Sequence, residues 1–214
     1  MLNLAEELIL IAINDETGEF HRMTSLNFNL ALVGALVMEL AIREQIDVEG
    51  SLLKIVRDSG SGDPFLDEVL NQIRQFDDPC DSAKLIRYLF NSMENLKNRL
   101  LQSLEGKGVI ACRESKFLWL FNKRRYPVLD NSDEMEALTR IRRCVIESAP
   151  PDNKDLALIA LIDICDLMDK ILTRDELCQF EQRIETLRNL DYIGHAIHKI
   201  IEDVQVMIAS TFIT

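Results

Sequence analysis

Ser25-Leu-Asn-Phe-Asn-Leu-Ala-Leu-Val-Gly-Ala-Leu-Val-Met-Glu-Leu-Ala-Ile-Arg43 is apolar almost all the way round when wound at helical spacing. A helix without a polar face has to be enclosed, so this stretch predicts a central helix from an N-cap at Ser25 to about Arg43. Its uncharged part, Thr24 to Met38, contains Asn27 and Asn29 and stops at Glu39, too short to span a bilayer. A second stretch of similar character, 152–169, is expected to pair with it. The fold class that follows is mainly α: a buried central helix pair wrapped by amphipathic helices, with one projecting β-hairpin.

Working outward, residues 2–13 read as a short buried helix with Glu6 and Glu7 on its wet side, ended by turn chemistry at Asp15-Glu-Thr-Gly18. Residues 46–56 alternate and predict a small hairpin, and Asp58-Ser-Gly-Ser-Gly-Asp-Pro64 is a loop. Helical spacing returns over 65–76 and over 82–103, the latter broken near Asn91. Lys107-Gly108 is a stop before a second hairpin, with strands at 109–112 and 117–121 around a polar turn at 113–116. Helices are expected at 133–148, 152–169, 173–188 and 191–211, with Thr173-x-x-Glu176 as a capping box. A single domain over 1–214 accommodates all of these.

The chain has 214 residues and a formal net charge of −12. Between Lys97 and Arg125, however, eight bases (97, 99, 107, 113, 116, 123, 124, 125) face only Glu105 and Glu114, which makes that window +6 and the remainder −18. A basic patch on an acidic body draws anions to one place and repels them elsewhere. The acidic balance argues against nucleic acid as a partner, because neutralising phosphates supplies most of such affinity. Five cysteines (80, 112, 144, 165, 178) without a C-x-x-C fit free thiols in a reducing compartment. Glu6 and Glu7 stand where a signal peptide would be basic. The expectation is a soluble cytoplasmic protein that attaches peripherally to the cytoplasmic face of a membrane.

Within the basic window, Lys116-Phe-Leu-Trp-Leu-Phe-Asn-Lys-Arg-Arg-Tyr-Pro-Val128 holds the chain's one tryptophan. Alternation places Phe117, Trp119 and Phe121 on one face of the expected second strand, and Leu118 and Leu120 on the other. Phe117, Trp119, Phe121 and Tyr126 are candidates for membrane insertion, or for an oligomer contact, since aromatic rings with a polar handle favour half-wet boundaries. Lys97, Arg99, Lys107, Lys123, Arg124 and Arg125 are the candidate headgroup-binding cations. A buried hairpin whose basic tail pairs with the protein's own carboxylates, and a subunit interface, are the competing readings.

Other constellations carry less chemistry. Asp191, His195, His198 and Glu202 form one helical stripe, but a single helix cannot wrap a metal ion, and no metal is expected. Asp163, Asp166 and Asp169 step by three without a nucleophile beside them. P-loop, G-x-S-x-G and dinucleotide fingerprints are lacking, so neither an enzyme nor a cofactor is expected.

The ordered set of features resembles the Golgi phosphoprotein 3 family. The matching segments are residues 4–13 with Asp15-x-x-Gly18, then Gly34-Ala-Leu-Val-Met-Glu-Leu-Ala-Ile-Arg43. Lys107-Gly-Val-Ile110 running into Phe117-Leu-Trp-Leu-Phe121 and Tyr126-Pro127 follows, and the last is Leu158-Ile-Ala-Leu-Ile-Asp-Ile-Cys-Asp-Leu-Met168. The resemblance implies a helical domain with an apolar hairpin that binds membranes peripherally through phosphatidylinositol 4-phosphate. The family's headgroup residues fall at Thr24, Val33, Glu94 and Lys97, of which Lys97 alone keeps its charge and Glu94 reverses it. The family's arginine-bearing tail would precede residue 1, so coat-adaptor partnership is not expected. The leading functional expectation is recognition of an anionic phospholipid surface; a protein-interaction or assembly module using the hairpin as a homo-oligomer interface is the alternative.

Overall fold

A computed structural model describes residues 2–57, 59–76, 79–117 and 121–190, with the backbone alone for 114–117 and 121–123. Its helices are α1 (Leu4–Ala12), α2 (Ser25–Ile42), α3 (Pro64–Ile73), α4 (Ser82–Ser92), α5 (Leu96–Gly106), α6 (Ser132–Ile146), α7 (Asn153–Ile164), α8 (Arg174–Gln179) and α9 (Glu181–Asn189). Strands β1 (Ile46–Glu49), β2 (Leu52–Ile55) and β3 (Cys80–Asp81) form one small antiparallel sheet. Strands β4 (Arg113–Phe117) and β5 (Phe121–Arg125) form a separate two-stranded ribbon. The protein is mainly helical, as the sequence predicts.

α2 is the axis of the fold. Its length and mean hydropathy of 1.7 would suit a membrane span, yet it lies inside the protein, in contact with α1, α3, α4, α5, α7 and β1. Every residue from Leu30 to Leu40 is buried. α7 packs along it, forming the expected central pair. Ser25 is the first helical residue rather than the cap; Thr24 takes the cap position without a side-chain hydrogen bond.

α1 corrects one expectation. Glu6 and Glu7 do not face water: all nine residues of the helix are buried, Glu6 completely. Glu6 caps its own helix, accepting from the Asn3 N–H at 3.1 Å, and also receives Lys107 Nζ at 2.6 Å and the Ser103 hydroxyl at 2.7 Å. Glu39 of α2 accepts the Leu4 N–H at 3.1 Å. Carboxylates at the positive end of α1 satisfy N–H groups that the helix itself cannot. The same arrangement, acid inward and cation outward, recurs at Glu7–Lys154 (2.5 Å), Asp155–Arg140 (2.9 Å) and Glu134–Lys170 (3.0 Å). Burial pushes the carboxyls of Glu7 and Glu134 above their usual range, against the pull of their lysines.

The later helices are more broken than their periodicity predicts. The interruption after α4 falls at Met93–Asn95, where Asn95 is left-handed (φ 54°). α7 ends at Ile164, and left-handed Asp166 (φ 55°) turns the chain into a single 3-10 turn, Met168–Lys170. Asparagine and aspartate tolerate that backbone region better than other side chains. The expected helix 173–188 divides at Phe180, although its capping box from Thr173 to Glu176 is present. The expected helix 191–211 lies outside the described residues.

The ribbon is also displaced from its expected register. Its strands are not 109–112 and 117–121; Arg113 pairs with Arg125, Glu114 with Arg124 and Phe117 with Phe121. Residues 113–116 are thus strand rather than turn, Lys123 to Arg125 are strand rather than tail, and Trp119 falls within 118–120, outside the described residues. The register depends on which residues stand opposite one another, which alternation along one strand cannot reveal.

Two measurements check these assignments. Lys170→Met leaves Glu134, 1% exposed, without its cation and should cost about 3 kcal/mol in urea unfolding, largely recovered by adding Glu134→Leu. A loss near zero would contradict the pairing. Glu176 is held at about 2, chiefly by its hydrogen bond from Arg142, with the Thr173 cap adding to it. Its folded pKa is depressed, so its contribution to stability is present above the normal carboxylate range and fades as pH falls toward 2. Carboxyl NMR titration should find that midpoint rising toward 4.5 in Arg142→Ala.

Candidate functional site

The turn after α1 builds the root of the ribbon. Asn14 Oδ1 accepts from the Thr17 N–H (2.9 Å) and hydroxyl (3.0 Å), and Ile13 bridges to Phe20, closing a tight loop. Gly18 sits at φ +66°, and a Cβ there would meet the Pro127 nitrogen at 2.9 Å. This close approach lets the Tyr126 N–H reach the Gly18 carbonyl at 2.6 Å. On the other side, the Ala111 N–H donates to Pro127 at 3.0 Å and Ile110 bridges Val128. Arg125 Nε closes the junction onto Glu19 at 3.2 Å.

Three rings tie that root to the core. Phe20 meets Phe28 of α2 edge-on at 5.7 Å and Tyr126 at 5.9 Å. Lys97, in the first turn of α5, places its ammonium 3.4 Å from the Phe20 centroid and 5.2 Å from that of Phe28. Ring faces attract cations, most strongly where water is excluded. No carboxylate among the described residues forms an ion pair with Lys97, and burial lowers its pKa. Beside it opens a cleft of about 410 Å³ between α2 and the α4–α5 junction, walled by Asn29, Val33, Glu94, Lys97 and Asn98 among others.

The other candidate cations are distributed differently. Arg99 grips both oxygens of Glu68, one at 3.2 Å, with its guanidinium 5.3 Å from the Phe65 ring centroid; the Glu68 bond raises its pKa. Lys107 is committed to buried Glu6. Lys97 alone of these three lines the cleft. Arg124 and Arg125 are exposed on β5, where Arg124 hydrogen-bonds the half-buried Tyr126 side chain and Arg125 engages Glu19. Burial raises the Tyr126 pKa. Lys123, Phe117 and Phe121 belong to the ribbon by backbone.

Among the described residues no group of three or more His, Cys, Asp or Glu could hold a metal. Asp191, His195, His198 and Glu202 lie outside them. Asp163 is paired with Arg188 at 2.9 Å. None of the five cysteines is in a disulfide, and burial pushes the Cys165 thiol up to about 12, away from reactivity.

Sequence reasoning missed Gly18, Glu19 and Phe20 as the ribbon's seat. The Asp15-x-x-Gly18 turn was visible, but its contact with Tyr126 links residues more than a hundred positions apart. The asparagines of the cleft were missed as well, since they come from separate helices.

A helical core built on an apolar central helix, with a charged two-stranded ribbon rooted beside an aromatic-bound lysine, defines a class that similarity to known proteins identifies. A sequence model of the Golgi phosphoprotein 3 (GPP34) family matches residues 4–204. A VPS74-like protein of Dictyostelium discoideum is 29% identical over 177 residues, covering 76% of this chain and 66% of that protein. Vacuolar protein sorting-associated protein 74 of Eremothecium gossypii is 27% identical over 176 residues, covering 72% and 51%. The chain belongs to the Golgi phosphoprotein 3 family and spans about half to two thirds of these relatives' lengths.

A cation held by rings instead of a carboxylate gains little for stability once its desolvation is counted. Lys97→Met should therefore unfold within about 1 kcal/mol of wild type in urea. A large stability loss would make Lys97 a structural element instead.

Proposed function

We propose that this protein binds membranes peripherally, recognising an anionic phospholipid surface rather than turning over a substrate. The observation that carries the reading is the position of Arg124 and Arg125 on a ribbon whose strands pair with each other and whose root is clamped to the body; both remain exposed although Arg124 meets Tyr126 and Arg125 meets Glu19. An acidic protein with cations on a projecting element approaches a negative leaflet in one orientation, each base near the surface contributing about 1 kcal/mol. Trp119, Phe117, Phe121 and Tyr126 would then enter the interfacial zone, with Lys123 meeting headgroups. Family membership and the vacuolar sorting name of the Eremothecium relative fit a membrane setting on the cytoplasmic side. For phosphatidylinositol 4-phosphate, the lipid implied by the resemblance, Lys97 is the cation lining the cleft; Arg99 and Lys107 are engaged by Glu68 and Glu6.

A second reading has its own observation. Neither β4 nor β5 pairs with another strand among the described residues, so each presents an open edge, on which a second copy of the chain could add a strand.

Vesicle flotation separates the two. Binding should rise with the anionic lipid fraction, fall as salt increases, and drop about ten-fold or more in Arg124→Glu/Arg125→Glu. Trp119→Asp should weaken it without changing the mass in solution. Salt-insensitive flotation, or a mass that falls in Trp119→Asp with no lipid dependence, contradicts the membrane reading and favours the assembly reading.

A further inference from the structure

We infer that the outer face of α4 is a second contact with the leaflet, meeting lipid phosphates alongside the ribbon. This rests on the membrane reading and deepens it by naming which side of the body comes down with the ribbon. Lys84, Arg87, Tyr88 and Asn91 follow one another at helical spacing and, with Ala83, enclose a hollow of about 310 Å³. Its wall holds two cations and no carboxylate, whereas the cleft lined by Lys97 also holds Glu94. On a chain of net charge −12 such a surface is a local exception, and an anion is its complement.

The face is held in place from behind. Leu85, Ile86 and Leu89 are buried on the other side of the helix, which packs on α2 and α3. Asp81 caps the helix, accepting from the Lys84 N–H at 2.9 Å, so that this neighbouring carboxylate is already occupied. Tyr88 stands edge-on to Phe76 with 5.0 Å between centroids and donates its hydroxyl to Gln72 at 3.0 Å, while 38% of the residue stays exposed. A fixed, half-wet tyrosine among cations suits the boundary between headgroups and acyl chains. Lys84 and Arg87 are both exposed, and Lys84 forms no ion pair among the described residues.

The surroundings favour a leaflet over an acidic polypeptide. Asn91 borders both this hollow and the cleft beside Lys97. Lys97 lies over Phe20, and Phe20 carries Tyr126 at the ribbon's root. The α4 face, the cleft and the ribbon are therefore one continuous run of surface. An extended leaflet meets both ends of such a run at once, whereas an acidic peptide would occupy one. Two separated basic contacts also resist tilting, so α4 sets the orientation of the bound protein.

Lysine acetylation of the intact chain, read by mass spectrometry, tests this. Phosphatidylcholine vesicles carrying phosphatidylserine should slow modification of Lys84 about five-fold or more, and phosphatidylcholine alone should not. In flotation, Lys84→Glu/Arg87→Glu should bind about ten-fold more weakly, with urea unfolding checking the fold. Lys84→Arg/Arg87→Lys, which keeps the charge, should bind as wild type does. Flotation that persists with Lys84 modified at its free rate overturns the α4 contact and leaves the membrane reading standing. No flotation of the wild type ends both. Protection of Lys84 by poly-L-glutamate but not by vesicles would assign the face to an acidic polypeptide and overturn the leaflet contact.

Discussion

A helix with no polar side cannot lie on a surface, and that constraint on α2 organises the rest of the molecule. Its buried run from Leu30 to Leu40 is covered on every side by other elements, so the outer helices have to present apolar stripes inward. Charge is then admitted to the interior only with compensation. Glu6, Glu7, Glu39, Glu134 and Asp155 point inward because helix ends or long cationic side chains meet them there. The lysine and arginine stems lie along the boundary with their heads nearer water, the usual compromise for such side chains.

The same axis positions the candidate surface. Phe28 belongs to α2, Phe20 stands on Phe28, and Tyr126 stands on Phe20, so the ribbon's root is referenced to the rigid centre through three rings. Lys97 shares that aromatic support and borders the asparagine-lined cleft. A basic ribbon and a polar cleft are thereby joined through one small group of contacts. On the proposed membrane reading, attraction of the ribbon to a negative leaflet would be long-ranged and sensitive to salt, whereas contacts in the cleft would be short-ranged and dependent on shape.

Those parts of the fold that rest on local pattern were legible in the sequence. α2 and α7 announced themselves by lacking a wet face and α8 by its capping box, and the α4–α5 break, expected near Asn91, falls slightly later at Met93–Asn95. Interactions across long separations were not legible. Glu6 and Glu7 looked solvated because their partners, Lys107 and Lys154, lie far along the chain. The ribbon's register was misplaced because Phe117-Leu-Trp-Leu-Phe121 reads as the better strand by composition, whereas the observed pairing also depends on what stands opposite. Of the candidate cations, charge density along the chain could not distinguish Lys97, which lines a cleft, from Arg99 and Lys107, which brace the interior. The Gly18–Tyr126 contact and the asparagine cleft arise only on folding.

Amide hydrogen exchange, measured residue by residue with and without anionic vesicles, tests the central claim most directly. If α2 is the enclosed axis and the ribbon is the contact surface, residues 30–40 should keep the slowest exchange in both states. Vesicles should slow exchange over 113–117, 121–125 and the 14–20 turn. Faster exchange across α2 on adding vesicles would mean that the helix leaves the core to enter lipid, and would contradict the account.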